Sequence, residues 1–204
     1  MRENRARGTT LVELMIVMAL FGLLLVGLFT FIDSSIALYR ESRDALEIRQ
    51  QGLLGLTVMS NELRESAKSS IEVQDSPTSG VVFTSNLDST GVPQYETNSA
   101  RISWQKFVSF YLAPAPNGTN QLLRKEESFT PESSFVPNSL GQSPPRDVLY
   151  FLNNTSLSTN LICRQVETLE LTKDTDLLSV RMVMKLEGRR EHSIELQTRI
   201  KPRK

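Results

Sequence analysis

The chain has 204 residues, 23 basic against 23 acidic, with hydrophobic residues at 39%. That balance lacks the basic excess that nucleic-acid binding demands. One cysteine excludes an intramolecular disulfide, and one histidine leaves no histidine-rich catalytic or metal constellation.

Residues 1–8 form a short basic flank, with Arg2, Arg5 and Arg7 against Glu3. The positive-inside rule keeps such a flank cytoplasmic and sends the chain after Ile32 across the membrane. From Leu14 to Ile32 no residue is charged, enough helix at about 1.5 Å per residue to cross most of a ~30 Å hydrocarbon core. Glu13 stands at the edge of this run, where an unpaired carboxylate costs on the order of a few kcal/mol. It therefore needs a partner. The run exceeds a secretory signal's core of roughly 7 to 15 residues, and no small-x-small cleavage site separates Ile32 from Tyr39.

Residues 33–70 change to an amphipathic pattern. Ile36, Tyr39, Leu46, Leu53, Leu56, Leu63 and Ala67 recur at helical spacing, and no proline interrupts residues 9–76. The spacing predicts one long helix, a membrane half and an amphipathic half, with Gly52 and Gly55 as a weak or bent point. Residues 71–204 read as a β-rich head. Strands are expected at 81–84, 101–112, 121–125, 147–152 and 166–171, with turn-rich 86–98 and a proline-rich loop over 128–146. Residues 178–186 and 194–200 alternate as a hairpin turning around Gly188. One face of that hairpin is polar enough to meet solvent, and the expected fold class is α+β, an antiparallel sheet burying its apolar face on the helix stripe.

The amino-terminal residues resemble the precursors of type IV pilins and type II secretion pseudopilins. Their signal is a short basic leader ending in Gly, four residues, Glu, and about twenty apolar residues; here these are Gly8, Thr9-Thr10-Leu11-Val12, Glu13 and Leu14 onward. The resemblance implies that a prepilin peptidase cuts between Gly8 and Thr9 and methylates the amine of Thr9. It implies that Glu13 meets the terminal amine of a neighbouring subunit, and that other major and minor pilins or pseudopilins are the partners. Thr9 stands where Phe is usual, and Thr30 where major pilins commonly carry Pro; Gly22 and Gly27 are then the points at which the helix could partly unwind. The single cysteine cannot close the carboxy-terminal disulfide loop typical of major pilins. With the element order and the ending at 197–204, this points to the minor pilin W and minor pseudopilin J groups. A bacterial inner-membrane location, with a periplasmic head that joins a pilus or pseudopilus, follows from the same resemblance.

The residues offer little other chemistry. His192 lies beside Glu191 without a nucleophile or metal-ligand pattern, Cys163 reads as a small buried hydrophobe, and Asp174 and Asp176 fall short of the six to eight oxygens that Ca²⁺ takes. No phosphate loop or zinc spacing occurs, so no cofactor, metal or enzymatic activity is expected. The competing reading is an uncleaved single-pass membrane protein with a periplasmic ligand-binding or sensor head, which leaves the Gly8-to-Glu13 spacing to coincidence.

Overall fold

A computed structural model describes residues 10–203 apart from 89, 98, 117, 134 and 187–191, and without the side chains of 130–132, 186 and 192. The leader, Gly8, Thr9 and the turn around Gly188 lie outside the described residues. Contacts divide the chain into two compact units, one reaching to Asp44 and the other Ala45–Lys204. A single helix, α1 (Leu11–Glu65), runs through both.

In the first unit α1 stands alone and its apolar side chains are exposed throughout. The helix continues unbroken through Gly22 and Gly27, and at Thr30 the hydroxyl donates to the Val26 carbonyl at 2.8 Å. Ser34 and Ser35 bond back four residues in the same way, so these hydroxyls are satisfied within the helix.

The second unit joins the end of α1 to a seven-stranded antiparallel sheet whose spatial order is its chain order. After a 3₁₀ turn (Lys68–Ser70) come β1 (Glu72–Gln74), β2 (Gly80–Ser85), β3 (Trp104–Pro114), β4 (Asn120–Ser133), α2 (Val148–Asn153), β5 (Thr159–Lys173), β6 (Leu178–Leu186) and β7 (His192–Ile200). The α+β layout is as the sequence predicts. Ile48, Leu56, Met59 and Leu63 pack on one sheet face, among Phe83, Phe110, Leu122, Leu169, Val180 and Met182. Met59 and Leu63 are fully buried, each worth roughly 1.5–3 kcal/mol relative to exposure.

Several expectations are corrected. The buried stripe is rotated from the predicted one: Leu46 and Leu53 are exposed, whereas Ile48, Gly52, Gly55 and Met59 turn inward. Gly52 and Gly55 do not bend the helix but let it approach the sheet. A Cβ at Gly52 would lie 2.6 Å from both Leu196 Cδ1 and Met184 Sδ, and one at Gly55 would lie 3.2 Å from Ile162 Cγ2. α1 ends at Glu65, so Ala67 belongs to the following turn and bridges to Arg203.

Where a strand is expected over 147–152, Val148–Asn153 is helical and Asp147 is its extended cap. The Asp147 carboxylate accepts from the Tyr150 amide at 2.7 Å and caps α2, and Lys125 Nζ donates to the Phe151 and Asn154 carbonyls at its other end. α2 also covers the second face of the sheet over β2 and β3, where Val148 and Phe151 pack on Val82, Phe107, Tyr111 and Ala113, while Glu170, Glu195 and Arg199 leave the outer face of β5–β7 exposed, as the alternation of the closing hairpin predicts. β4 takes in the first part of the predicted loop, to Ser133. Pro131 is tolerated because β4 pairs with β5 only as far as Lys125, leaving the later stretch without a second ladder to feed. β1 was not expected at all, and β5 begins inside the polar tract before Leu161.

Candidate assembly site

The start of α1 places Thr10 as the cap and Glu13 three residues on. The Glu13 carboxylate oxygen Oε2 accepts from the Thr10 amide at 3.0 Å and from its hydroxyl at 3.2 Å. In return the Glu13 amide donates to Thr10 Oγ1 at 3.3 Å, and the Leu14 amide reaches the Thr10 carbonyl at 3.2 Å. This is a capping box, in which Ser or Thr and an acid three residues later satisfy each other's amides. The carboxylate also sits at the positive end of the helix dipole. Glu13 thus has a local partner that the sequence reading did not assign, although Thr10-Leu-Val-Glu13 before an apolar run is the signature of one. Among the described residues both contacts fall on Oε2.

Beyond this cap, Leu14 to Ile32 presents apolar side chains on every face. Among the described residues α1 is the one helix long and apolar enough to cross a membrane. A helix apolar all round and packed against nothing is stable only in lipid or against other apolar helices.

The head's charged groups are structural. Arg124 of β4 reaches Glu62 of α1 at 2.9 and 3.2 Å and Glu126 at 2.6 Å, and Lys106 meets Glu126 at 2.8 Å. Burial pushes the Glu62 carboxyl up despite the guanidinium beside it, while Lys106 and Arg124 hold Glu126 below its ordinary value against burial. Arg146 and Tyr150 converge on Glu127, fixing α2 to the sheet. Burial pushes the Cys163 thiol up to about 12, so this cysteine is an inert core residue. Asp176 pairs with Lys68 at 2.8 Å, and Asp174 caps its own turn through the Thr175 amide. His192 opens β7 and pairs with Leu186. Among the described residues no group of three or more His, Cys, Asp or Glu is placed to hold a metal. An open polar cleft of about 420 Å³ lies at the β4–β5 irregularity, between Asn120, Gln165 and Glu167.

Residues 4–29 match the family model described as the prokaryotic N-terminal methylation motif. No curated protein and no solved structure matches the chain. The matched segment contains the second part of the basic flank, with Arg5 and Arg7, the capping box and most of the exposed apolar helix. It carries a type IV pilin-like signal, which together with that helix supports membrane anchoring.

Proposed function

We propose that this chain is a minor pilin or pseudopilin, a structural subunit that primes or caps a type IV pilus or type II secretion pseudopilus. The observation that carries the reading is the coincidence of the methylation motif with an apolar helix exposed on every face. A helix in that condition needs lipid before assembly and neighbouring helices after it. In this reading a prepilin peptidase cuts between Gly8 and Thr9 and methylates Thr9. Residues 9–32 anchor the chain in the bacterial inner membrane, and the head lies in the periplasm. Glu13 then exchanges its local cap for the amine of a neighbour, through an attraction of roughly 4 kcal/mol at about 4 Å and an effective dielectric near 20. Assignment to the minor pilin W and pseudopilin J groups rests on the α+β head, the single cysteine and the closing hairpin.

Intact mass and amino-terminal sequence of the membrane-extracted protein, with and without a prepilin peptidase, test this. A peptidase-dependent start at methylated Thr9 is the expected result. An uncut chain despite active peptidase overturns it and leaves the anchored sensor as the better account.

A further inference from the structure

β7 forms one edge of the sheet; the opposite edge, β1, has only three residues. An edge strand offers a row of unpaired N–H and C=O groups, and natural sheets shorten, break or cover such rows. β1 obeys that rule and β7 does not. It has nine residues without proline, in unbroken register with β6 from Leu178↔Ile200 to Leu186↔His192. On its other side, among the described residues, backbone bonding resumes only past its end, where Arg203 meets Ser66 and Lys68.

The side chains on this edge are self-complementary. Ile194-Glu195-Leu196-Gln197-Thr198-Arg199-Ile200 mirrors itself in character about Gln197. Laid antiparallel on a second copy with the two Gln197 residues opposed, Glu195 faces Arg199 and Ile194 faces Ile200, each twice. Centring the pair on Glu195 opposes two carboxylates, and centring it on Arg199 opposes two guanidinium groups. Within β7 itself, centring on Leu196 or Thr198 opposes no opposite charges, and any odd shift sets the polar face against the apolar one. Among pairings confined to these nine residues, the register centred on Gln197 satisfies both faces.

The sheet's own charge row points the same way. Arg181 of β6 lies 2.9 Å from Glu170 of β5 and 2.7 Å from Glu195 of β7, an acid, base, acid sequence across three strands that ends on a carboxylate. A further strand would continue it with a base. Arg199 is an exposed cation of β7 that forms no salt bridge among the described residues. These exposed charges set register and partner choice more than affinity; the main-chain bonds supply the attraction.

We propose that the free edge of β7 is a self-association surface, on which a second copy of this chain adds its own β7 antiparallel about Gln197 and merges the two sheets. The interface is two-fold and isologous. It stands independently of the assembly role assigned to residues 9–32.

The test uses the full chain in mild detergent under oxidising conditions. Opposed Cα atoms of an antiparallel pair lie about 4.5–5.5 Å apart, inside the roughly 4.4–6.8 Å window of a disulfide. Gln197→Cys is expected to give a disulfide dimer, with the buried Cys163 silent. Ser193→Cys, whose two copies would sit roughly 27 Å apart at ~3.4 Å per residue, is expected to stay monomeric. In the Gln197→Cys background, Glu195→Arg alone and Arg199→Glu alone should each lose most of the cross-link, whereas their mixture regains both opposed pairs and should restore it. That restoration excludes misfolding as the cause of the loss. A monomeric Gln197→Cys protein, or cross-linking unchanged in either charge variant alone, overturns the proposal.

Discussion

Replacing Arg124 with Met should be the most damaging single change in the head. Its guanidinium lies between Glu62 and Glu126, and the side chains of Arg124 and Glu62 are only 11% and 15% exposed. Glu126 keeps Lys106 at 2.8 Å, but Glu62 loses the guanidinium paired with it and keeps only the weaker pull of Lys106. Removing one partner of a buried pair costs about 3–5 kcal/mol, because the other charge stays behind uncompensated. With both side chains still slightly exposed, the lower end applies. At roughly 2–4 °C per kcal/mol for a unit of this size, the midpoint should fall by about 6–12 °C. Trp104, the single tryptophan, is buried at 3% exposure and reports on the head alone, so its emission during heating of the full chain in detergent follows the transition. The double change Glu62→Gln with Arg124→Met should recover much of the loss. The pH dependence carries a definite sign. Burial already raises the Glu62 carboxyl above its unfolded value, so its protonated form is favoured in the folded state; that contribution is present in acid and is lost as pH rises through the folded value. Without Arg124 that value rises further, and the deficit of the variant relative to the parent should shrink on acidification. Equal midpoints for the single and double variants, or a deficit that grows in acid, would refute the reasoning.

Glu13→Gln separates two roles for this residue: glutamine at the third position retains a capping box but carries no charge, so filament incorporation should drop while peptidase processing and helix content stay as in the parent. Normal incorporation would mean that the cap alone is the role of Glu13. Gly52→Val should destabilise the head by about 1–3 kcal/mol, since the branched side chain meets Leu196 and Met184 where a bare Cβ is already too close; Gly52→Ala should cost less, because both neighbours are ends of flexible side chains and alanine regains helix propensity. A maleimide at pH 8 should leave Cys163 unlabelled in the folded protein and label it after denaturation, as a buried thiol pushed up to about 12 requires; rapid labelling without denaturant would contradict the packing of β5.

Long periodic segments were legible in the sequence, and the rest failed for identifiable reasons. The apolar run and the alternation of β6 and β7 are strong signals, and both elements stand where expected. The helix stripe was misplaced because its inward face is marked by Gly52 and Gly55, which a count of large apolar residues passes over. Val148–Leu152 is a short apolar run whose type periodicity cannot settle. Asp147 after Pro144-Pro145-Arg146 was the available cue, a cap ahead of a helix start. Pro131 argued against a strand until the sheet order showed it beyond the reach of β5. Around Glu13 the spacing from Gly8 carries the methylation motif, while the part played by Thr10 follows from the unpaired amides of a helix end rather than from charge.

A sheet whose spatial order repeats its chain order can be laid down one hairpin at a time as the polypeptide emerges, each strand finding its neighbour already in place. α1 is made first, yet its inward face waits longest. Gly52 meets Met184 and Leu196, and Gly55 meets Ile162 and Cys163, all from the last three strands. Until these arrive, the helix face around Gly52 and Gly55 lacks the side chains that cover it. The vulnerable interval in the biogenesis of this head therefore closes with the final hairpin, and a chain stalled before β6 would present a sticky helix next to a half-built sheet.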